Sequence, residues 1–196
     1  MSDVLILDLD YGNTRSVALA FERLGASVAL SADPAAVDRA DRVVLPGVGA
    51  AGAAMARLRQ SGVDDALRRR TRPTLGICLG MQLMFGESDE DGGTELLRIL
   101  PGSVAELRPT PGFPVPHMGW SALEGESSDI GLDPGAYVYF AHSFACPDGR
   151  HVAARATYGD ASIPAAVRSG AWWGAQFHPE RSSVAGSRFL AAFLAS

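Results

Sequence analysis

The stretch Thr74-Leu75-Gly76-Ile77-Cys78-Leu79-Gly80 decides the fold class predicted for this chain. Its apolar beginning predicts a short buried strand, and the residues that follow Cys78 predict a helix. Such a sharp turn brings the residues two positions before and after the corner together, so neither has room for a side chain. Gly76 and Gly80 occupy those positions. We therefore expect Cys78 to be exposed above the carboxyl edge of a sheet, at a helix amino end that favours its thiolate form.

Strand-like and helix-like segments alternate outward from this turn. Short apolar runs predict strands at 4–7, 27–30 and 42–45, and helical spacing predicts helices at about 14–24, 50–59, 63–70 and 81–85. This order predicts a parallel sheet with helices on both faces. Shorter strands, antiparallel in part, are predicted at 138–141, 152–157, 165–167 and 171–177, followed by a helix at 183–194. We expect one α/β domain over residues 1–196, with a mostly parallel central sheet and an additional antiparallel portion.

The amino-acid composition of the chain limits the functions that can be expected of it. The 196 residues are 47% hydrophobic and 20% charged, which is typical of a globular chain. The net charge is -5, so nucleic-acid binding is not expected. No apolar stretch is long enough to span a membrane, and the amino terminus lacks the basic start of a signal peptide. Cys78, Cys146 and four scattered histidines form no disulfide framework or zinc pattern. We therefore expect a cytoplasmic protein without a metal or cofactor.

A second pattern, Gln176-Phe177-His178-Pro179-Glu180, follows the last predicted strand. Proline holds the preceding His178 extended, and alternate side chains of an extended chain share a side, so His178 and Glu180 are expected to point the same way. A carboxylate beside an imidazole holds its tautomer and stabilises its protonated form. Taken alone, this pattern is typical of a loop histidine beside a solvated glutamate. Likewise, the pattern around Cys78, taken alone, is also typical of a buried cysteine in an apolar strand. Together, Cys78, His178 and Glu180 provide a nucleophile, a base and a group that orients the base.

A third pattern, Pro46-Gly47-Val48-Gly49, follows the third predicted strand. Glycines allow backbone N–H groups to turn outward, which suits an oxyanion hole. The N–H of Leu79, directly after the nucleophile, is the natural second donor. A glycine-rich turn is usually only a turn, so this pattern supports catalysis only in combination with the other two.

Taken together, the patterns resemble the class I glutamine amidotransferases of the triad type and, more narrowly, the glutaminase subunits of imidazole glycerol phosphate synthase. The resemblance extends over nearly the whole chain. It rests on Asp10-Tyr11-Gly12 with Asn13, Leu45-Pro46-Gly47-Val48-Gly49, Gly76 to Gln82, Pro116-His117-Met118-Gly119-Trp120, Tyr139-Phe140-Ala141-His142-Ser143 and Gln176 to Glu180. The chain departs from the family where Gly12 is followed directly by Asn13, which shortens a loop by two residues. It also carries Phe144 where tyrosine is usual and Arg181 where lysine is usual.

The resemblance implies a flavodoxin-like α/β fold and the hydrolysis of L-glutamine to glutamate and ammonia. The residues that it implies are a catalytic triad of Cys78, His178 and Glu180, an oxyanion hole from the backbone of Gly47, Val48 and Leu79, and glutamine binding by Gln82 and Ser143. No cofactor and no metal are implied.

The resemblance also implies a heterodimer with a (β/α)8-barrel cyclase subunit of the HisF type. The ammonia would pass to that subunit, which makes imidazole glycerol phosphate and aminoimidazole carboxamide ribotide in histidine biosynthesis. The surface implied to face the partner contains His117, Met118, Trp120, Tyr139 and Arg181, although core packing is the alternative for a histidine or an aromatic residue in a strand. Two rival functions remain open: the glutaminase subunit of another amidotransferase, such as pyridoxal phosphate synthase, and a non-catalytic interaction module on the same fold. The segment His117 to Trp120 argues against the first rival and the complete triad against the second.

Overall fold

The structure is a computed structural model that describes residues 3–9, 13–125 and 128–196. The strands are Val4–Leu7 (β1), Val28–Ser31 (β2), Val43–Gly47 (β3), Thr74–Cys78 (β4), Glu87–Ser88 (β5), Thr94–Glu95 (β6), Ser103–Glu106 (β7), His117–Glu124 (β8), Tyr137–His142 (β9), Phe144–Ala145 (β10), Val152–Tyr158 (β11), Ala161–Ser169 (β12) and Trp172–Ala175 (β13). The α-helices are Thr14–Arg23 (α1), Pro34–Arg39 (α2), Ala51–Ser61 (α3), Val63–Arg69 (α4), Leu79–Gln82 (α5) and Ser183–Leu194 (α6). Short 3-10 turns are formed by Glu90–Gly92, Ser128–Ile130 and Pro179–Arg181.

Two sheets organise the described part of the chain. The larger has nine strands in the order β2-β1-β3-β4-β13-β12-β11-β8-β9. Its pairs from β2 to β13 are parallel, and its pairs from β13 to β9 are antiparallel. The smaller sheet has the order β10-β7-β5-β6. The predicted α/β fold, with a parallel centre and an antiparallel addition, is confirmed.

The core lies on both faces of the larger sheet because successive side chains of a strand point in opposite directions. In β1, Val4 and Ile6 join the buried cluster that includes Phe21 of α1 and Phe193 of α6. Leu5 and Leu7 of the same strand join the cluster on the other face, which includes residues of α3 and α4. This two-sided burial explains why β1 is a continuous apolar run.

Most of the predicted helices are found, and α6 has the predicted bounds. Asn13 caps α1 by accepting a hydrogen bond from the backbone N–H of Ser16 (3.3 Å). Helix α2 was not predicted, although Asp33 caps it through the N–H of Ala35 (2.9 Å) and Pro34 occupies its first turn. These two residues are an ordinary helix-start signal that the apolar spacing alone did not reveal.

One helix prediction was wrong at its end. A helix was expected to continue to Phe85, but α5 ends at Gln82. The carbonyls of Leu83, Met84 and Phe85 instead accept backbone hydrogen bonds from the segment 97–100, at 2.8 to 3.0 Å. Those partners lie more than ten residues away in sequence, so local spacing could not have revealed them.

The part of the chain that the structure describes contains neither a membrane-spanning helix nor a group of side chains suited to a metal ion. No helix in residues 3–9, 13–125 or 128–196 has the length and apolar character that crossing a membrane requires. The same residues contain no group of three histidine, cysteine, aspartate or glutamate side chains placed to hold a metal ion. The motif Asp10-Tyr11-Gly12, with its shortened loop, lies outside the described residues.

Candidate active site

Cys78 stands at the corner between β4 and α5 with φ 54° and ψ -111°, a conformation that residues with a side chain rarely adopt. A Cβ atom on Gly76 would lie 2.4 Å from the carbonyl oxygen of Gly80. A Cβ atom on Gly80 would lie 1.8 Å from the carbonyl oxygen of Leu45 in β3. The predicted need for glycine at both positions is therefore confirmed, and the second glycine is required by the neighbouring strand.

The surroundings of Cys78 differ from the expectation in two respects. The residue is only 6% exposed, because it lies at the base of a cleft rather than above an open sheet edge. Helix α5 has four residues, so its dipole contributes less than a longer helix would. Two side chains interact with the sulfur: the imidazole of His178, whose pKa Cys78 raises, and the amide of Gln176, whose Nε2 lies 3.7 Å from Sγ.

His178 reaches Cys78 because β13 is the parallel neighbour of β4. Its backbone N–H donates to the carbonyl of Tyr139 in β9 (2.8 Å). Its own carbonyl accepts from the hydroxyl of Ser182 (2.6 Å), which in turn accepts from the N–H of Tyr139 (3.0 Å). These backbone contacts hold the loop after β13 against the antiparallel half of the sheet.

Glu180 completes the arrangement, because its Oε1 lies 2.9 Å from Nδ1 of His178 and its side chain is buried. Burial lowers the pKa of His178, but the hydrogen bonds and charge attraction of Cys78 and Glu180 outweigh it and raise the pKa to about 10. The imidazole of the free enzyme is therefore protonated at neutral pH, next to the sulfur. The structure brings Cys78, His178 and Glu180 into one connected set.

We expect Cys78→Ala to lower the pKa of His178. The substitution removes the hydrogen bond and the charge that oppose the effect of burial, so the imidazolium loses its proton at a lower pH than the value of about 10 in the unmodified protein. NMR titration of the imidazole signals between about pH 6 and 11 measures this, with His178→Asn to assign the resonance. Cys146→Ala is the control and leaves the midpoint unchanged. Equal midpoints in Cys78→Ala and the unmodified protein would contradict the contact between sulfur and imidazole.

A cleft of about 340 Å³ opens above the sulfur of Cys78. Its lining includes four of the residues implied for the oxyanion hole and glutamine binding, namely Val48, Leu79, Gln82 and Ser143. Gly47 lies beside the cleft, paired with Cys78 in the register of β3 and β4. A Cβ atom on Gly47 would lie 2.9 Å from Cβ of Leu79, so glycine allows the third pattern to approach the nucleophile turn.

Two residues of the cleft region were not assigned a role from the sequence. Glu90, in the acidic loop after α5, lines the cleft and accepts the N–H of Ala51 at the start of α3 (2.6 Å). Gln176 is fully buried and contacts both Gln82 and Cys78. The spacing from Gln176 to His178 places both on the same side of an extended chain, a signal that the sequence contained.

Four residues implied to face a partner form a surface beside the cleft, and one of them, Met118, lies at the cleft edge. Met118 is 64% exposed and Trp120 is 50% exposed, whereas Tyr139 is half-buried. The rings of Trp120 and Tyr139 pack edge to face at 5.9 Å between centroids, and the guanidinium of Arg181 lies 4.7 Å from the Tyr139 centroid. We call Met118, Trp120, Tyr139 and Arg181 the aromatic surface.

His117 differs from the expectation that it faces the partner. It is 1% exposed, because it alternates with Met118 along β8 and points to the opposite side. Its ring stacks between Phe140 and Tyr158, with centroids 4.6 and 3.9 Å away. His117 is therefore a core residue, which was the alternative expectation, whereas Met118 and Trp120 lie on the exposed face of the strand.

His117 and His142 form a buried pair whose tautomers are set by one carbonyl. Burial lowers the pKa of each to about 4, so both rings are neutral at neutral pH. Nδ1 of His142 lies 2.8 Å from the carbonyl of Phe144, which only accepts, so this nitrogen carries the proton. Nε2 of His142 then accepts from Nδ1 of His117 (3.2 Å), and Nε2 of His117 accepts from the hydroxyl of Ser121 (3.0 Å).

The fold and the set of Cys78, His178 and Glu180 beside a cleft are those expected of a class I glutamine amidotransferase. A family model described as "Glutamine amidotransferase class-I" matches residues 5–196. The chain is 43% identical to the imidazole glycerol phosphate synthase subunit HisH of Vibrio cholerae, over 98% of each chain. It is 44% identical to the same subunit of Xanthomonas axonopodis pv. citri, over 99% of this chain and 98% of that one. The chain thus belongs to the class I glutamine amidotransferase family, among the HisH subunits of imidazole glycerol phosphate synthase.

Solved structures support the fold independently. A crystal structure of a glutamine amidotransferase has a TM-score of 0.77 and 24% identity, over 98% of this chain and 97% of that one. The structure of PurLQS from Thermotoga maritima has a TM-score of 0.68 and 20% identity, over 100% of this chain and 99% of that one. At these identities the likeness concerns the fold alone.

Proposed function

We propose that this chain is the glutaminase subunit of imidazole glycerol phosphate synthase. It hydrolyses L-glutamine to glutamate and ammonia through Cys78, His178 and Glu180. The observation that carries the proposal is the connected set itself: a cysteine at a strained turn interacts with an imidazole whose Nδ1 lies 2.9 Å from a buried carboxylate. A non-catalytic module on the same fold has no need for this arrangement.

The chemistry follows from the positions of these groups. The sulfur of Cys78 attacks the side-chain amide carbon of glutamine, and the oxygen that becomes negative is stabilised by the N–H of Leu79 and the backbone of Gly47 and Val48. When the carbon–nitrogen bond breaks, the imidazolium of His178 donates its proton to the departing nitrogen, which leaves as ammonia. The neutral imidazole then takes a proton from water, which attacks the thioester and releases glutamate.

Polar groups in the cleft select glutamine. Nε2 of Gln82 donates to the carbonyl of Phe144 (2.9 Å) and to Oε1 of Gln176 (3.0 Å), so its own oxygen is left to accept hydrogen bonds from the substrate. Ser143 supplies a hydroxyl to the same cleft. Glu90 is an acidic residue in the lining, and we assign it to the α-ammonium group of the substrate.

The ammonia passes to a (β/α)8-barrel cyclase subunit of the HisF type, with which this chain forms a heterodimer. The complex makes imidazole glycerol phosphate and aminoimidazole carboxamide ribotide in histidine biosynthesis. Met118 lines the cleft and belongs to the aromatic surface. A partner that docks on that surface therefore covers the opening of the cleft. Direct transfer matters because ammonia released into neutral water takes up a proton and is no longer a nucleophile.

Two further assignments complete the proposal. We take residues 1–196 as one glutamine amidotransferase domain, in agreement with the family match over residues 5–196. We place the protein in the cytoplasm, where biosynthetic enzymes with unpaired cysteines function; Cys78 and Cys146 are both free.

Co-purification with the cyclase subunit, followed by a glutamine-dependent product assay, tests the function. We expect slow glutamine hydrolysis by this chain alone and a rate roughly tenfold higher or more with the partner and its ligand, because the partner would contact the rim of the cleft. The positive φ of Gly49 (90°) next to Val48 marks the backbone that such contact would reorient. Equal rates with and without the liganded partner would contradict this coupling.

A glutamine-like electrophile distinguishes a catalyst from an inert module. We expect 6-diazo-5-oxo-L-norleucine to modify Cys78 and to spare Cys146, as read by mass spectrometry of peptides. Cys146 is buried, and burial raises the pKa of its thiol well above the ordinary value, so it remains protonated and unreactive. The Cys78→Ala variant is the control and acquires no adduct. Labelling of Cys146 in place of Cys78 would favour the inert module.

A further inference from the structure

Gln176 is a buried polar residue beside the nucleophile to which the proposed reaction assigns no role. It follows β13 directly, and its side chain is fully excluded from solvent. Its Nε2 lies 3.7 Å from Sγ of Cys78, and its Oε1 accepts from Nε2 of Gln82 at 3.0 Å. Both ends of the amide are thus engaged, one by the reacting sulfur and one by a residue that lines the cleft.

The orientation of this amide follows from a backbone carbonyl. The carbonyl of Phe144 can only accept, so the group that Gln82 places 2.9 Å from it must be the NH2. The second hydrogen of that NH2 points to Gln176, which must therefore present its oxygen to Gln82 and its NH2 to Cys78. Nδ1 of His142 donates to the same carbonyl (2.8 Å), so two donors converge on it.

The NH2 of Gln176 is a hydrogen-bond donor, which suits the thiolate form of the Cys78 sulfur. A thiolate accepts hydrogen bonds and donates none, whereas the thiol donates its proton, here toward the carbonyl of Ala141 at 3.7 Å. A donor aimed at the sulfur therefore stabilises the thiolate, and it does so without introducing a second charge into a buried site.

We propose that Gln176 is a positioning residue that holds the Cys78 sulfur in its reactive form and fixes it relative to the substrate-binding amide of Gln82. The proposal rests on the proposed function and deepens it. One side chain connects the atom that attacks with a group that holds the substrate, so the two keep a constant separation. Because Gln176 and His178 are two positions apart, the same strand end presents both donors to the sulfur.

Two substitutions separate the two contacts of Gln176. Gln176→Met keeps the approximate size but removes both the donor and the acceptor. Gln176→Glu keeps an oxygen for Gln82 but has no donor for the sulfur, and its negative charge opposes the thiolate. We expect the pH at which Cys78 reacts half-maximally with iodoacetamide to rise by roughly one to two pH units in Gln176→Met, and by at least as much in Gln176→Glu.

Steady-state kinetics of the complex with the cyclase subunit give a second readout. We expect kcat for glutamine to fall roughly tenfold to a hundredfold in both variants, since a hydrogen bond to a charged group is lost. KM should rise only in Gln176→Met, because Gln82 loses one of its two acceptors there and keeps both in Gln176→Glu. A merely structural role for Gln176 predicts neither the shift of the alkylation profile nor this difference in KM.

Thr74→Val is the matched control for loss of a buried polar group. Thr74 is fully buried at the opposite end of β4, where its hydroxyl accepts from Arg70 (2.8 Å). We expect this variant to be less stable but to keep the alkylation profile of Cys78. An unshifted profile in a folded Gln176→Met protein would overturn the proposal, and Gln176→Glu decides the question if Gln176→Met does not fold. Because alkylation requires no glutamine turnover, its result is independent of whether the proposed glutaminase function holds.

Discussion

Cys78→Ala is expected to abolish glutamine-dependent synthesis by the complex, with a loss of roughly four orders of magnitude or more, while synthesis from added ammonia continues. The sulfur is the only group in the connected set that can form the thioester, and neither His178 nor Glu180 can replace it. Ammonia supplied in solution bypasses this chain, so the cyclase subunit keeps its own reaction. Product formation with each nitrogen source, measured on the same purified complex, checks both expectations.

Cys146→Ala is the control for this experiment. It removes the other cysteine, which is buried and does not line the cleft, and we expect both activities to remain. Loss of the ammonia-dependent activity in Cys78→Ala would indicate a defect of folding or assembly. Retention of glutamine-dependent activity would contradict the assignment of Cys78 as the nucleophile.

Gly80→Ala is expected to have the second largest effect, on the folded state itself. The added methyl group would lie 1.8 Å from the carbonyl oxygen of Leu45, which belongs to the backbone of the neighbouring strand and cannot rotate away. Either β3 separates from β4 or the turn at Cys78 opens, and both disrupt the core. We expect the free energy of unfolding to fall by roughly 3 kcal/mol or more, as measured by urea denaturation.

Gly52→Ala is the matched substitution in open space. Gly52 lies in α3, and the nearest atom to an added Cβ is Oγ1 of Thr94 at 3.5 Å, an ordinary contact distance. Alanine restricts the unfolded chain and favours a helix, so we expect Gly52→Ala to be neutral or to stabilise by up to about 1 kcal/mol. If Gly80→Ala unfolds at the same urea concentration as Gly52→Ala, the steric account of the turn is wrong.

Elements defined by local contacts could be predicted from the sequence. The bounds of α6 agree with the prediction because the apolar spacing on which it rested acts within a few residues. The need for glycine at position 76 was predicted because its collision with the carbonyl oxygen of Gly80 lies within the turn itself. The contact that requires glycine at position 80 comes from Leu45 of the neighbouring strand and was not visible locally. His178 and Glu180 were expected on one side for a similar reason, since only one residue separates them.

Elements defined by distant partners could not be predicted in this way. Strand β8 was not predicted from its own residues. It is held as a strand by its pairing with β9 and β11, which are distant in sequence. His117 was placed on the partner surface by the resemblance alone, because the strand register that decides the side each residue faces is not visible locally. The engagement of Gln176 depends on Gln82, which is ninety-four positions away in sequence.

The same distinction between local and distant contacts applies to the active site. Sequence alone determined which residues have reactive groups and how each short motif bends, because steric overlap and the geometry of proline act between near neighbours. Only the tertiary structure decided that the motifs meet: β4 and β13 run parallel as neighbours, with Gly76 opposite Gly174, so Cys78 and His178 emerge at the same end of the sheet. That pairing is selected by burial of apolar side chains on both faces, a property of the whole chain rather than of either motif.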